Sequence, residues 1–133
     1  MNGHIYFEIH ADDLKRASAF YTKVFGWTFH KHESQDDIPA AYMRIDTGGT
    51  AGGMLKRPAD APPPECGVNA FVCSVEIADF DSTADKILKS GGSTAMPKFP
   101  VPGVCWQGYF KDTESNTFGV FQVDEAAGER RRN

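Results

Sequence analysis

The fold of this protein is decided by residues 5–26, IYFEIHADDLKRASAFYTKVFG. In the first part, apolar and polar residues alternate, so that Ile5 and Ile9 lie on an apolar face and polar or charged side chains lie on the other. This pattern is typical of a β-strand with one face toward the core and the other toward a more polar surface. From Leu14 the apolar residues recur at helical spacing until Gly26, and the aspartates before Leu14 offer an N-cap. The stretch therefore predicts a strand followed by a helix of about three turns.

The same order of elements occurs twice along the chain. After the first helix, Gly- and Pro-containing breaks separate three short extended pieces, which completes a βαβββ pattern. A proline-rich segment then interrupts regular structure, and a second alternating strand, a helical stripe closed by Gly91-Gly92 and three more extended pieces follow it. The predicted strands are 5–9, 27–32, 41–46, 51–56, 71–77, 93–97, 105–111 and 117–123.

These patterns predict one α+β domain over residues 1–126, built from two tandem βαβββ modules. The first module covers residues 3–57, a proline-rich linker covers 58–66, and the second module covers 67–125. Residues 127–133 are predicted to form a flexible tail. Because each module has one helix for four strands, its mixed sheet is expected to curl around a cleft on the face without a helix.

The composition is that of an ordinary globular protein, with 133 residues, 41% hydrophobic residues and 24% charged residues. A formal net charge of -4 gives no electrostatic footprint for nucleic acid or an anionic membrane. No stretch approaches the roughly 20 apolar residues that span a bilayer, and no secretory signal opens the chain. We therefore expect a cytoplasmic protein without nucleic acid or membrane partners. The three cysteines lack C-x-x-C spacing, which favours neither a disulfide framework nor a zinc knuckle.

Five short motifs stand out, namely FEIHADDL at 7–14, FY at 20–21, VFGW at 24–27, GGM at 52–54 and DTESNTFG at 112–119. Together they resemble the signature of the vicinal oxygen chelate superfamily, which includes glyoxalases, bleomycin resistance proteins and extradiol dioxygenases. The likeness extends over nearly the whole chain. It implies a glyoxalase-like fold but does not select an activity, because this scaffold hosts lyases, isomerases, dioxygenases and pure binding proteins.

The resemblance also implies where a metal would be held. Metal-using members hold a divalent ion with four inward-facing residues, one on the first strand and one on a later strand of each module. By that resemblance the four positions fall on Tyr6, on Gly53 or Met54, on Ala70 or Val72, and on Gly119.

None of these residues supplies the usual imidazole or carboxylate, so no cofactor is predicted. A divalent metal belongs only to an alternative with a rearranged site that uses His4 or Glu8. His30 and His32 form an H-x-H pair, but no third ligand accompanies them, and an exposed pair is expected. A catalytic Cys-His pair that uses Cys105 as the nucleophile is also weakly supported, because the sequence pattern places no histidine beside Cys105.

The leading hypothesis is a protein that binds a small organic molecule in the cleft without the family metal. One alternative is a metal-dependent lyase, isomerase or dioxygenase with a rearranged site. Another is a metal-free acid/base enzyme with Glu8 as the general base, so whether the protein is an enzyme stays open. A homodimer is expected because relatives commonly pair their modules across a dimer. The predicted ligand-binding residues are Tyr6, Glu8, Tyr42, Met54, Trp106, Gln107 and Tyr109.

Overall fold

The computed structural model describes residues 2–31, 41–63 and 65–129. Within these ranges the chain forms two helices, α1 (Leu14–Phe25) and α2 (Phe80–Lys89). The strands are β1 (Phe7–Ala11), β2 (Thr28–Lys31), β3 (Tyr42–Asp46), β4 (Gly52–Lys56), β5 (Ser74–Glu76), β6 (Ser93–Val101), β7 (Cys105–Lys111) and β8 (Thr117–Val123).

The strands form two four-stranded mixed sheets with the same internal order. The first sheet runs β1-β4-β3-β2 and the second runs β5-β8-β7-β6. In each sheet the first strand of the module pairs in parallel with the last, and the remaining pairs are antiparallel. The two βαβββ modules predicted from the sequence are confirmed by this repeated topology.

The chain divides into two compact units. Unit 1 comprises Met1–Pro64 and Thr113–Asn116, and unit 2 comprises Glu65–Asp112 and Thr117–Asn133. The turn between β7 and β8 therefore belongs to unit 1, although the sequence pattern assigned it to the second module.

Both helices have residues at their ends that form hydrogen bonds with backbone groups lacking a partner inside the helix. The Asp13 side chain accepts a hydrogen bond from the Arg16 amide at the start of α1, and Asp79 accepts one from the Ser82 amide at the start of α2. The last turn of α1 is closed by Gly26, which has a φ of 75° that L side chains rarely adopt. Neither helix of the described chain is long and apolar enough to cross a membrane.

Each helix buries an amphipathic face against the sheet of its own unit. In unit 1, Phe20 of α1 is fully buried, and the Tyr21 ring stacks on Trp27 with 5.3 Å between the ring centres. In unit 2, Phe80 of α2 lies 6.1 Å from Phe110 of β7, and both rings are buried. These contacts leave the opposite face of each sheet without a helix from its own unit.

Several predicted boundaries differ from the structure, and the first strand, predicted at 5–9, is observed at Phe7–Ala11. The second module's first strand is shorter than 71–77, and the Phe71 side chain is fully exposed. By contrast, β6 continues past Pro97 to Val101, because an edge strand with register shifts tolerates proline. Ala127, the first residue of the predicted tail at 127–133, is 1% exposed, and its carbonyl accepts a hydrogen bond from the Gly103 amide.

Removing the cap of α2 is expected to lower the midpoint of thermal unfolding by about 4 °C. The change is Asp79→Ala, which leaves the Ser82 amide without its side-chain acceptor. Asp85→Ala is the matched control, since Asp85 lies inside the same helix and forms only an exposed ion pair with Lys89. Equal thermal midpoints for the two variants would contradict the assignment of Asp79 as the cap.

Candidate functional site

The sheet face of unit 1 that α1 does not cover carries three of the predicted ligand-binding residues. Glu8 of β1 lies opposite Gly53 of β4, and Arg44 of β3 lies on the other side of Gly53. Residues opposite one another in adjacent strands point to the same face of the sheet, so this row shares one surface. Tyr42 and Tyr6 reach the same surface from β3 and from the residue before β1.

Two tyrosine hydroxyls meet above Gly53. The Oη atoms of Tyr6 and Tyr42 are 2.5 Å apart and form a hydrogen bond. A Cβ atom built on Gly53 would overlap the Tyr42 hydroxyl and would lie 2.7 Å from Tyr6 Oη. The pair therefore fills the space that a side chain at position 53 would need.

The Tyr42 hydroxyl is held in its protonated form. Burial is the largest cause that raises the pKa of Tyr42, and its interactions with Tyr6 and with Glu8 raise it further. Glu8 is exposed, so burial does not favour an acid/base role for its carboxylate.

The corresponding face of unit 2 has the same arrangement with different side chains. Ser74 of β5 lies opposite Gly119 of β8, and Tyr109 of β7 lies opposite Gly119 on its other side. Gln107 Nε2 donates to Ser74 Oγ at 3.1 Å, and a Cβ atom on Gly119 would overlap that hydroxyl. The Tyr109 ring stacks on Phe99 with 6.3 Å between centres. In each unit, therefore, two hydrogen-bonded side chains occupy the space above a glycine, Gly53 in unit 1 and Gly119 in unit 2.

These two glycines are positions where the resemblance places metal ligands, and neither brings a side chain. Of the two candidates in the first module, Gly53 shares the face of Glu8 and Met54 does not. The third position falls on exposed residues ahead of β5, where both candidates, Ala70 and Val72, are apolar. The side chains at the implied positions therefore do not form the imidazole and carboxylate set of metal-using relatives.

Other candidate ligands do not complete a set in the described part of the chain. His4 and His30 are exposed, and His32 lies outside the described residues. Residues 2–31, 41–63 and 65–129 contain no group of three or more His, Cys, Asp or Glu side chains placed to hold a metal ion.

Met54 was predicted to bind ligand, but it lies on the helix side of its sheet. Its side chain is 0% exposed, and its strand neighbour Gly53 points to the opposite face. Met54 is therefore a core residue of unit 1.

Trp106 is also separated from the other predicted ligand-binding residues. Its indole Nε1 donates to Asp124 Oδ2 at 3.0 Å, and Lys98 Nζ lies 4.8 Å from the centre of its ring. The same ammonium lies 5.5 Å from the ring centre of Phe80 in α2. Trp106 thus belongs to the α2 side of the sheet, whereas Gln107, the next residue, points to the other face.

A buried carboxylate at the start of α1 was not predicted from the sequence. The Glu114 side chain is 0% exposed and accepts hydrogen bonds from the backbone amides of Asp12 and Asp13, each at 3.0 Å. Arg16 donates to both carboxylate oxygens, at 2.7 and 2.9 Å, and Thr113 Oγ1 donates at 2.8 Å. A carboxylate in this place also complements the positive end of the helix dipole.

The charge of Glu114 is strongly stabilised. Burial opposes ionisation and is the largest single effect on this group, but the hydrogen bonds from Arg16, the Asp13 amide and Thr113 together outweigh it. The pKa of Glu114 is thereby lowered to about 2. The polar closing motif at 112–119 was the available sequence signal, but it did not indicate which helix the carboxylate caps.

Comparisons with known proteins agree with this architecture. A family model described as Glyoxalase/Bleomycin resistance protein/Dioxygenase superfamily matches residues 3–120. A glyoxylase-like domain-containing protein of Didymella fabae is 28% identical over 118 residues, covering 85% of this chain and 88% of that protein. The CFP32 protein of Mycobacterium bovis is 23% identical over 124 residues, which is 91% of this chain but 46% of CFP32, so the chain spans about half of that relative.

Solved structures share the fold at low sequence identity. A glyoxylase/bleomycin resistance protein/dioxygenase domain from Frankia sp. EAN1pec superimposes with a TM-score of 0.72 at 16% identity, covering 97% of this chain and 96% of that one. A mutant of the Listeria monocytogenes fosfomycin resistance protein FosX, in complex with Mn(II) and 1S,2S-dihydroxypropylphosphonic acid, gives a TM-score of 0.70 at 15% identity. That comparison covers 93% of this chain and 94% of FosX.

Proposed function

Because the chain belongs to the Glyoxalase/Bleomycin resistance protein/Dioxygenase superfamily, we propose that it binds a small organic molecule on an exposed sheet face, without the divalent metal of metal-using relatives. The face of unit 1 that carries Tyr6, Glu8 and Tyr42 is the proposed principal contact surface. Aromatic rings and a few polar groups suit recognition of an organic ligand, because rings supply contact area and polar groups fix orientation.

One observation carries the proposal. The hydroxyls of Tyr42 and Tyr6 occupy the space above Gly53, where the resemblance places a metal ligand. Phenol hydroxyls that bond to each other are poor substitutes for the imidazole and carboxylate donors that divalent ions prefer. The equivalent glycine of unit 2 is covered by Ser74 and Gln107, which supports the same conclusion independently.

Protein purified without chelator is expected to contain less than about one divalent ion per two chains, because no complete donor set is available. Its thermal midpoint is expected to change by no more than about 1 °C on addition of EDTA, Zn²⁺ or Mn²⁺. Stoichiometric metal, together with a fall in the midpoint in EDTA, would instead support the alternative in which His4 or Glu8 binds an ion.

Ligand binding is tested by a thermal-shift screen of small organic molecules in the presence of EDTA, which removes divalent ions. A ligand present at 100 times its Kd should stabilise the protein by about 2.7 kcal/mol. Tyr42→Phe should weaken that stabilisation, because it removes the hydroxyl and keeps the ring. Tyr109→Phe makes the same change at a predicted ligand-binding residue of unit 2, and weakening only in that variant would move the proposed contact surface to unit 2.

Two further expectations stay as predictions. An acid/base role for Glu8 requires that the protein turns over a substrate and that Glu8→Gln abolishes this turnover without loss of substrate binding.

A homodimer is expected because members of the family commonly pair their modules across a dimer. Sedimentation equilibrium of the purified chain measures the oligomeric state directly.

A further inference from the structure

Three side chains of unit 2 converge above Gly119. A Cβ atom built on this glycine would overlap Ser74 Oγ and would lie 2.7 Å from Gln107 Nε2 and 3.1 Å from Tyr109 Cε1. The three residues come from the strands on either side of β8, since Ser74 belongs to β5 and the other two to β7. A hydroxyl, a primary amide and an aromatic ring therefore meet at one point of this sheet face.

The hydrogen bonds of Gln107 show which atom of its amide a ligand can use. Gln107 Nε2 donates to Ser74 Oγ at 3.1 Å and to the Gly108 carbonyl oxygen at 3.4 Å. A carbonyl oxygen has no proton, so the NH₂ group and not Oε1 must face Gly108. These two bonds leave Gln107 Oε1 as an acceptor. The exposed Ser74 hydroxyl accepts from Gln107 and has its own proton to donate, so an acceptor and a donor lie side by side.

The row of residues across Gly119 is uncharged, in contrast to the equivalent row of unit 1. In unit 1 the glycine of this row is flanked by Glu8 and Arg44. In unit 2 the flanking residues are Ser74 and Tyr109. The centre of the unit 2 face therefore offers neutral hydrogen-bonding groups rather than charges.

Charged residues lie farther along the same face. On β5, β7 and β8, the charged residues whose positions share this face are Glu76 and Lys111, each two residues beyond the row, or about 6.6 Å along a strand. They lie on opposite sides of the row, because Glu76 is aligned with Phe121 and Lys111 with Thr117. With one charge of each sign at either end, the centre of the face selects neither a cation nor an anion.

Aromatic rings beside the amide add a flat contact surface. The rings of Tyr109 and Phe99 are stacked, with 6.3 Å between their centres and 24° between their planes, and both residues are half-buried. Phe99 of β6 lies opposite Gln107 in the strand pairing, so the rings border the hydrogen-bonding groups. Such rings favour a ligand that is itself flat and aromatic.

We infer that this face of unit 2 recognises a neutral aromatic carboxamide. The amide N–H donates to Gln107 Oε1, the amide oxygen accepts from the Ser74 hydroxyl, and the ring packs against Tyr109. The inference rests on the proposed small-molecule function and adds a ligand class and a contact surface on unit 2.

The test compares benzamide, acetophenone and benzoate by NMR chemical-shift titration of the full chain at neutral pH. Acetophenone keeps the ring and the carbonyl but lacks the N–H donor, so benzamide is expected to bind about fivefold more tightly. Benzoate also lacks a donor and is expected to bind more weakly than benzamide. The resonances that shift should include those of Ser74 and Tyr109 and the side-chain NH₂ group of Gln107.

Variants separate the carboxamide class from ring binding itself. Gln107→Met removes the amide at similar length, so it should weaken benzamide binding about fivefold and leave acetophenone binding nearly unchanged. Ser74→Ala is a second variant and should weaken both ligands, because each has a carbonyl oxygen that accepts from the hydroxyl. Glu76→Gln is the control on the same face and should change benzamide affinity less than about twofold.

Two outcomes overturn the inference in different ways. If acetophenone or benzoate binds as tightly as benzamide, or if Gln107→Met keeps the preference for benzamide, the carboxamide class is wrong while the proposed function stands. If no probe shifts the Ser74, Gln107 and Tyr109 resonances at millimolar concentration, the contact surface on unit 2 fails as well. The proposed function is then decided separately, by the screen with Tyr42→Phe in unit 1.

Discussion

Replacing Glu114 with Gln is expected to lower the free energy of unfolding by about 3 kcal/mol at neutral pH. The substitution removes the negative charge, and its NH₂ group must replace either the oxygen that accepts from the Asp12 and Asp13 amides or the oxygen that accepts from Arg16 Nε and Thr113. Donors then face donors in a place where the Glu114 side chain is 0% exposed. Urea unfolding of the wild type and the variant measures the difference.

The matched control for this prediction is Glu125→Gln, which makes the same chemical change at an exposed position. It is expected to stay within about 0.5 kcal/mol of the wild type. Thr113→Val is a milder variant of the same cluster and should cost about 1 kcal/mol by removing one hydrogen bond to the carboxylate. Similar stabilities for Glu114→Gln and Glu125→Gln would show that the cluster contributes little.

The stabilising effect of Glu114 should also depend on pH in a defined direction. Its pKa is lowered from 4.5 to about 2 on folding, so the unfolded chain takes up its proton first as the pH falls. The contribution is therefore fully present above about pH 5 and is lost progressively as the pH falls toward 2, with a size of about 3 kcal/mol. The stability gap between the wild type and Glu114→Gln should narrow over this range, and a gap independent of pH would contradict the assigned pKa.

The repeated module was predictable from the sequence because its signals are local. Alternation in β1, helical spacing from Leu14 and the glycine at Gly26 each depend on residues a few positions apart. The Glu114 cluster was not predictable in this way. Its hydrogen bonds to Asp12 and Arg16 join residues 102 and 98 positions apart, and no local periodicity encodes such a pairing.

The candidate site shows a second limit of the sequence pattern. Trp106 and Gln107 were both predicted to bind ligand, yet adjacent residues of one strand point to opposite faces. The alternation rule already excluded one of the two, but only the contacts of Trp106 with Asp124 and Lys98 show which. Likewise, the choice between Gly53 and Met54 depended on the register of β4 against β1, which a single sequence does not specify.

Gly53→Ala is expected to lower the free energy of unfolding by about 1 to 3 kcal/mol, even though alanine suits a strand no worse than glycine. The added Cβ atom would overlap the Tyr42 hydroxyl and would lie 2.7 Å from Tyr6 Oη, so the half-buried Tyr42 ring must move and the hydroxyl pair must separate. Gly49→Ala is the control, because its nearest neighbour to a new Cβ atom is Thr47 Oγ1 at 3.8 Å, an ordinary contact.

A double-mutant cycle with Tyr42→Ala decides whether this overlap is the cause. If it is, Gly53→Ala should cost much less in the Tyr42→Ala background, with a coupling energy of about 1 to 2 kcal/mol measured by urea unfolding. Costs that simply add would mean that overlap with Tyr42 is not the cause of the lost stability. The proposal of a metal-free site needs the opposite result, since it depends on the tyrosine pair excluding a ligating side chain from that position.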